Sequence, residues 1–404
     1  MLSVQEAFHL ILETVQPVAP RQSSLFDACH CVLAEGTISD VNIPPFDKAL
    51  MDGFAVRSAD LPDGKATLQI LETIYAGNVP ALPLQAGQTS QIMTGAPLPE
   101  GADAVVQIEH CQINEEQQTV QIETAPVSPG TNMLYRSSVL EIGANVLEAG
   151  TLLRPQEIGA LAETGSSQVS VRRAPSLSIL ATGDELVPPE EFPQAGQIRN
   201  SNEVMLYTQV LQSQAHPVAL GIARDERSHL REKINEGLKS DFLLLSGGVS
   251  AGTLDLVPSE LQAAGVKQVF HKVDLKPGKP LWFGILEQEG RSPCYIFGLP
   301  GNPVSSMVCF ELFVRTAIRQ FMGFPAPKPV PLQARLKTDF QSSGSRPTYQ
   351  PAQVEWESGE AVVTPLKTLG SADLRSTVSA NAVALFPEGN QLFQAGLKVD
   401  TFLW

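Results

Sequence analysis

Two rhythms of apolar residues alternate over residues 173–325. The runs SLSILATG, PVALGIA, DFLLLSGG and CYIFGLPG are each about a strand long, and between them stand SNEVMLYTQVLQSQA, SHLREKINEGLKS and PSELQAAG, whose apolar positions recur at helical spacing. The intervening segments start at Ser or Pro and stop near Gly, as helix caps do. Strands and helices in alternation predict a parallel sheet, and in such sheets ligands collect at the carboxyl ends of the strands. The loops after these four strands are therefore where chemistry is expected.

The flanking segments follow other patterns. Residues 1–40 carry two helical patterns, beginning with MLSVQEAFHLILETV, until Pro44, Pro45 and Gly53 break the period. From 41 to 135 short apolar runs alternate with turn signals such as GNVPALPLQAGQ and VSPGTN, which predicts a β-rich module. RPQEIGALAETG then reads as a helix stopped by Gly165, with VSVRR as a short strand after it. Beyond Gly323 the run FPAPKPVPLQ reads as an extended linker, and residues 330–404 alternate in strand fashion, as in AVVTPL and NAVALFP, which predicts a compact all-β unit. A chain of 404 residues is expected to hold several cores.

Composition narrows the setting. Hydrophobic residues make up 43% and charged residues 18%, a globular balance, and the longest apolar stretches, such as FLLL at 242–245, are far shorter than a bilayer requires. The N-terminus has early acidic residues and lacks a signal peptide's basic start, so a cytoplasmic address and no membrane partner are expected. The five cysteines are odd in number and unpaired in spacing, which predicts reduced structural thiols and no zinc or cluster site. A net charge of −15 disfavours nucleic acid as a partner. It leaves room for an anionic substrate if the few cations are gathered into one pocket.

The predicted loops carry suitable groups. In ATGDEL, Thr182 and Gly183 leave the first strand; Asp184 and Glu185 offer hard oxygen ligands of the kind magnesium takes, although Asp184 could equally cap a turn. Asp225 follows the second strand. The third ends in SGGVSAG, where Gly247, Gly248 and Gly252 allow close backbone approach, Ser246 and Ser250 bring hydroxyls, and Asp255 follows. A glycine-rich turn without a ligand is the plainer reading of that segment. Glu185, Asp225 and Asp255 thus recur at three strand ends, as a magnesium site in one crevice would require. Lys276 and Lys279 flank the turn residues Pro277 and Gly278, so both ammonium groups could face one anion or simply face solvent. Gly301, Asn302 and Pro303 precede a long apolar helix whose first amides are a further candidate anion site. His271, beside the lysine turn, is read as packed rather than catalytic.

Taken in order, ATGDEL, SGGVSAG with Asp255, KPGKPLWFG and GLPGNPVS resemble the molybdopterin molybdenumtransferases, the MoeA and gephyrin E-domain family. The resemblance extends through PPFDKALMDGFAV with Asp52, IMTGAPLPEGADAVV with Thr94 and LGSADLRSTVSANAVALFPEG, and so covers essentially the whole chain. It implies a multidomain α/β plus β protein. A helical N-terminal unit (1–40 with 136–172) would enclose a β-rich inserted domain (41–135), followed by a three-layer α/β domain with a parallel-rich sheet (173–325) and a C-terminal β-barrel-like domain (326–404).

The resemblance also implies the activity: insertion of molybdenum from molybdate into adenylylated molybdopterin with release of AMP, magnesium-dependent, in a homodimer that could also meet a molybdopterin adenylyltransferase. Ser246, Gly247, Gly248 and Ser250 would help hold the pterin, with Thr182, Gly183, Arg136, Pro280, Pro300, Gly301 and Asn302 also on the substrate. Glu185, Asp225 and Asp255 would act around magnesium. Lys276, Lys279, Arg346 and Ser371 would bind molybdate, and Asp52 and Thr94 would approach the partner's central domain. The chain departs from the family pattern at Ala49, where a serine is usual, and at Ser137, Ser138 and Val139, where Gly, Glu and Asp are usual; Arg136 is kept and Glu141 lies nearby. Two other readings stay open, a tungstate-inserting homologue and a pterin-binding scaffold without turnover; the flanking modules argue against a third, the adenylyltransferase step, which would use a similar central domain alone.

Overall fold

The structure is a computed structural model and describes residues 1–248 and 256–404. The chain forms two compact units, one of residues 1–34, 150–154 and 170–404, the other of residues 35–149 and 155–169.

The second unit is built on a six-stranded mixed sheet in the spatial order Ala104–Gln107, Gly53–Val56, Gln88–Ile92, Lys65–Ile74, Thr119–Glu123, Cys111–Asn114. Alternation along its strands points residues to two faces, and each face has its own core. Phe54, Val56, Leu68 and Val120 belong to one, Ala55, Ile74, Ile92 and Val105 to the other. No α-helix occurs among residues 41–135, and the predicted helix that follows is Pro155–Glu163, with Gly165 just beyond it at φ +88°.

The first unit opens with α1 (Val4–Thr14), whose Ser3 and Glu6 form a reciprocal capping box. Its buried face, including Phe8, packs on Phe313 with ring centroids 5.1 Å apart. The second helix expected within residues 1–40 does not form. Leu25–Asp27 make a single 3-10 turn, and Val32 and Leu33 pair instead with Arg172 and Val171. β-branched Val32 gains more from complete burial in that pairing than from a weak helical pattern.

Next come β1 (Ser176–Thr182), α2 (Ser201–Gln212), β2 (His216–Ala223), α3 (Arg227–Gly237), β3 (Phe242–Ser246), α4 (Val257–Ala263), β4 (Lys267–His271), β5 (Trp282–Leu286) and β6 (Cys294–Leu299). They form one sheet in the order β2-β1-β3-β6-β5-β4. The four strands legible from sequence, β2, β1, β3 and β6, are the parallel ones, and β5 and β4 extend the sheet antiparallel. Strand order reverses between β1 and β3, and a crevice opens at such a point outside the carboxyl ends. The middle strands are buried on both faces, which is why they read as unbroken apolar runs.

After β6 the chain becomes helical from Pro303 to Phe321, as α5 (Pro303–Cys309), a π turn (Phe310–Val314) and α6 (Arg315–Phe321). Residues 332–403 then form a closed barrel of β7 (Leu332–Leu336), β8 (Thr348–Glu357), β9 (Glu360–Pro365), β10 (Ala382–Phe386) and β11 (Lys398–Leu403), in the order β7-β9-β8-β10-β11. Small residues such as Ala334, Ala352, Ala382 and Ala384 leave room inside it for Phe386, which stacks on Phe340 at 4.0 Å.

Candidate active site

A cavity of about 950 Å³ lies in the first unit where β1 and β3 end, and the turn after β4, the loop after β6 and the barrel complete its walls. Of the residues predicted as functional, Thr182, Glu185, Ser246, Gly247, Lys276, Lys279, Pro280, Pro300, Gly301, Asn302, Arg346 and Ser371 all line it. Ser250 and Asp255 lie outside the described residues.

The glycine turn after β3 sits against the end of β1. Gly247 and Gly248 have φ of +92° and +61°, and a Cβ on either would come within 2.8 Å of the Thr182 carbonyl oxygen or 2.7 Å of its Oγ1. Only glycine fits there, so the two strand ends touch through backbone. Thr182 is 4% exposed and its Oγ1 has no hydrogen-bond partner among the described residues, and the buried Oδ1 of Asn202 is likewise unpartnered among them. Asn202 Nδ2 donates to Ser246 Oγ (2.7 Å) and to the Gly301 carbonyl (2.8 Å), tying the loops after β3 and β6 to the start of α2. Two buried polar atoms without partners beside a glycine turn are what a polar ligand would satisfy.

The lysine turn is held on two sides. Its backbone joins the barrel, with the Lys276 amide donating to the Pro347 carbonyl and the Tyr349 amide to the Lys276 carbonyl. On the other side Gly278, at φ +119°, packs on α5, where a Cβ would meet Cys309 Sγ at 2.6 Å. Lys276 Nζ donates to the Ser343 carbonyl (2.9 Å), and Arg346 Nη1 to the Leu275 carbonyl (2.8 Å). Neither forms an ion pair among the described residues, so both charges remain available to an anion. The Ser371 hydroxyl accepts from Asn302 Nδ2 (2.8 Å), and its carbonyl accepts from the Val304 amide (3.0 Å). The first turn of α5 is therefore engaged by the barrel loop, and Pro303 also acts there as a helix start.

Among the described residues, Arg199, Lys276, Lys279 and Arg346 are the lining cations and Glu185 is the lining carboxylate. In a chain of net charge −15 this is a concentrated positive pocket. Sequence reasoning missed Arg199 and Asn202. The signal for them was IRNSN before α2, where Asn200 accepts from the Glu203 amide as N-cap while its neighbours face the cavity.

The acidic residues are arranged less simply. Gly183, with φ +141°, lies beneath the Glu185 carboxylate. Asp184 accepts from the Asp225 amide (3.1 Å), a bond between the loops after β1 and β2 that sets Asp225 beside the loop that carries Glu185, although Asp225 does not line the cavity. Among the described residues no three His, Cys, Asp or Glu side chains cluster to hold a metal. The carboxylate oxygens of Glu185 and Asp225 suit magnesium in kind.

Asp52, Thr94 and Arg136 belong to the second unit. The Thr94 amide and hydroxyl each donate to Asp52 Oδ1 at 2.7 Å. These bonds, the amide first, hold the Asp52 carboxyl below the usual range, so it is ionised at neutral pH. The Arg136 amide donates to Asp47 Oδ1 (2.7 Å). Ala49 is 1% exposed in an apolar core, so its methyl is well accommodated, and Val139 is 64% exposed.

Comparison with known proteins follows the same lines. Residues 2–165 match the MoeA N-terminal region (domain I and II), 178–320 a probable molybdopterin binding domain, and 333–404 the MoeA C-terminal region (domain IV). A molybdopterin molybdenumtransferase of Bacillus subtilis (strain 168) is 33% identical over 94% of this chain and 89% of its own. One from Nostoc sp. (strain PCC 7120) is 34% identical over 99% and 93%. The crystal structure of a molybdopterin biosynthesis moeA protein from Pyrococcus horikoshii OT3 superposes with a TM-score of 0.80 at 28% identity and covers 100% of both chains. The chain belongs to the MoeA family of molybdopterin molybdenumtransferases.

Proposed function

We propose that this chain acts in molybdenum cofactor biosynthesis as a transferase that inserts molybdenum from molybdate into adenylylated molybdopterin and releases AMP. The observation that carries the reading is the gathering of Lys276, Lys279 and Arg346 in one cavity of this acidic chain with a polar, glycine-lined strand end whose Thr182 Oγ1 has no partner among the described residues. The glycine turn and Thr182 would accept the pterin nucleotide, and the two lysines, Arg346 and Ser371 would hold molybdate. A molybdate oxygen attacks the adenylyl phosphorus and the bridging P–O bond breaks toward the pterin phosphate. AMP leaves with that oxygen as the dithiolene sulfurs take its position on molybdenum. The side chains contribute by fixing both anions at contact distance and neutralising their charge, effects worth about several kcal/mol in a site that excludes water. Magnesium, when bound, would add positive charge against the anhydride oxygens, and Glu185 and Asp225 are the described residues suited to hold it, with Asp255 as a third.

The homodimer, the approach of Asp52 and Thr94 to a partner copy and the four-domain division remain part of this proposal, and sedimentation of the full chain tests the first of them. The activity is tested by incubating the purified protein with adenylylated molybdopterin and magnesium, with and without molybdate. AMP release that requires molybdate supports the reading. Tight nucleotide binding with no AMP release would favour the scaffold.

A further inference from the structure

Arg199 has no assigned role in the reading above, and its setting is unlike that of the other cavity cations. Lys276, Lys279 and Arg346 come from the turn after β4 and from the barrel. Arg199 comes from the two-residue strand Ile198–Arg199, which pairs in parallel with Leu186–Val187, immediately after the loop that carries Glu185. Its backbone is fixed at both ends, since the Ile198 amide donates to the Glu185 carbonyl (2.8 Å) and the Asn200 amide to the Val187 carbonyl (2.8 Å). Its Nε donates to the Glu191 carbonyl (3.1 Å), which orients the guanidinium while leaving both Nη groups without a partner among the described residues.

The cavity therefore draws its cations from two parts of its lining. One is the lysine turn with Arg346. The other is Arg199, on the wall formed by the loops after β1, where Thr182, Gly183 and the glycine turn are gathered. A planar fork with both terminal nitrogens unengaged suits a phosphate, which presents paired oxygens. Phosphate groups in a doubly wound sheet sit at the strand ends beside the switch point. We infer that Arg199 is a substrate-specificity residue that binds a phosphate oxygen of the substrate's adenylyl end, separately from the cations that hold molybdate. This rests on the proposed function and deepens it.

The test uses the full chain and two probes, AMP and molybdate, each titrated calorimetrically against wild type, Arg199→Gln and Arg199→Lys. Arg199→Gln is expected to weaken AMP about tenfold or more and to leave molybdate affinity within twofold of wild type. Arg199→Lys should recover part of the AMP loss, because it restores the charge without the fork. AMP affinity unchanged in Arg199→Gln, or an equal loss for both anions, overturns the assignment. A wild type that binds neither probe contradicts the proposed function itself, and this inference with it.

Discussion

At the scale of single residues, two positions show how backbone conformation limits the side chain. Ser137 holds φ +65° in a turn where the Ser138 amide donates to the Tyr135 carbonyl, and the family pattern has glycine there. An L-residue in that region costs about 1–2 kcal/mol, part of which a glycine returns as unfolded-state entropy. Ser137→Gly should therefore stabilise the chain by about 0.5–1 kcal/mol, read from urea unfolding. Gly248 is the opposite case. Gly248→Ala would drive a methyl to within 2.7 Å of Thr182 Oγ1 and 2.8 Å of Val257 Cγ2. Displacing the turn by a fraction of an ångström should reduce AMP release by about tenfold to a hundredfold while the sheet still folds. A Gly248→Ala variant with wild-type turnover would remove the close strand-end contact from the mechanism.

At the scale of elements, the entry to the sheet depends on Asp241, which immediately precedes β3 and is 8% exposed. Arg173 Nη1 and Nη2 reach its two oxygens at 2.6 and 2.7 Å, and the Ser176 amide donates at 2.8 Å. Burial alone would raise this carboxyl's pKa, but the Arg173 bonds and the Ser176 amide together hold it below the ordinary value. A folded-state pKa lower than the unfolded one means the stabilisation is complete above about pH 5 and is lost as pH falls below about 4 through the folded value. Asp241→Asn should cost about 3 kcal/mol at neutral pH and flatten the acid limb of a stability profile. An unchanged acid limb would show that the pair does not anchor the strand.

The same element explains what could be read in advance. β1, β3 and β6 were legible because strands buried on both faces must be continuously apolar, the edge strand β2 because its short apolar run falls at the same spacing, and α2 and α3 because their amphipathic faces cover the sheet. The antiparallel β4 and β5 escaped because Lys267–His271 is half polar and Trp282–Leu286 follows a proline-glycine turn, so neither shows the expected βα rhythm. The second N-terminal helix failed because the partner of Val32 and Leu33 lies far along the chain at Val171 and Arg172. In the site, motif residues such as Lys279 and Ser246 were visible by type. Asn202 was not, since its role comes from reaching Ser246 and Gly301 across two loops. Asn202→Ala should therefore raise the KM for the pterin nucleotide severalfold with a smaller change in the KM for molybdate, measured by AMP release.

At the scale of the whole molecule, charge placement is the main feature. A chain of net −15 gathers four cations and one carboxylate, among the described residues, around one cavity, so anion capture depends on local field against an unfavourable background. Salt should weaken it. Raising ionic strength from about 0.05 to 0.5 M is expected to increase the apparent KM for molybdate severalfold, and less so in Lys279→Ala, where one of the charges is gone. Among the described residues no helix is long and apolar enough to cross a membrane.

The central claim is that molybdate is held in this cavity by the lysine turn and the barrel. Anomalous diffraction at the molybdenum edge, from crystals of the protein grown with molybdate, tests it most directly. The account predicts a molybdenum peak within hydrogen-bonding reach of Lys276, Lys279, Arg346 and Ser371, absent in Lys279→Ala. A peak elsewhere on the chain, or one unaffected by that substitution, would contradict it.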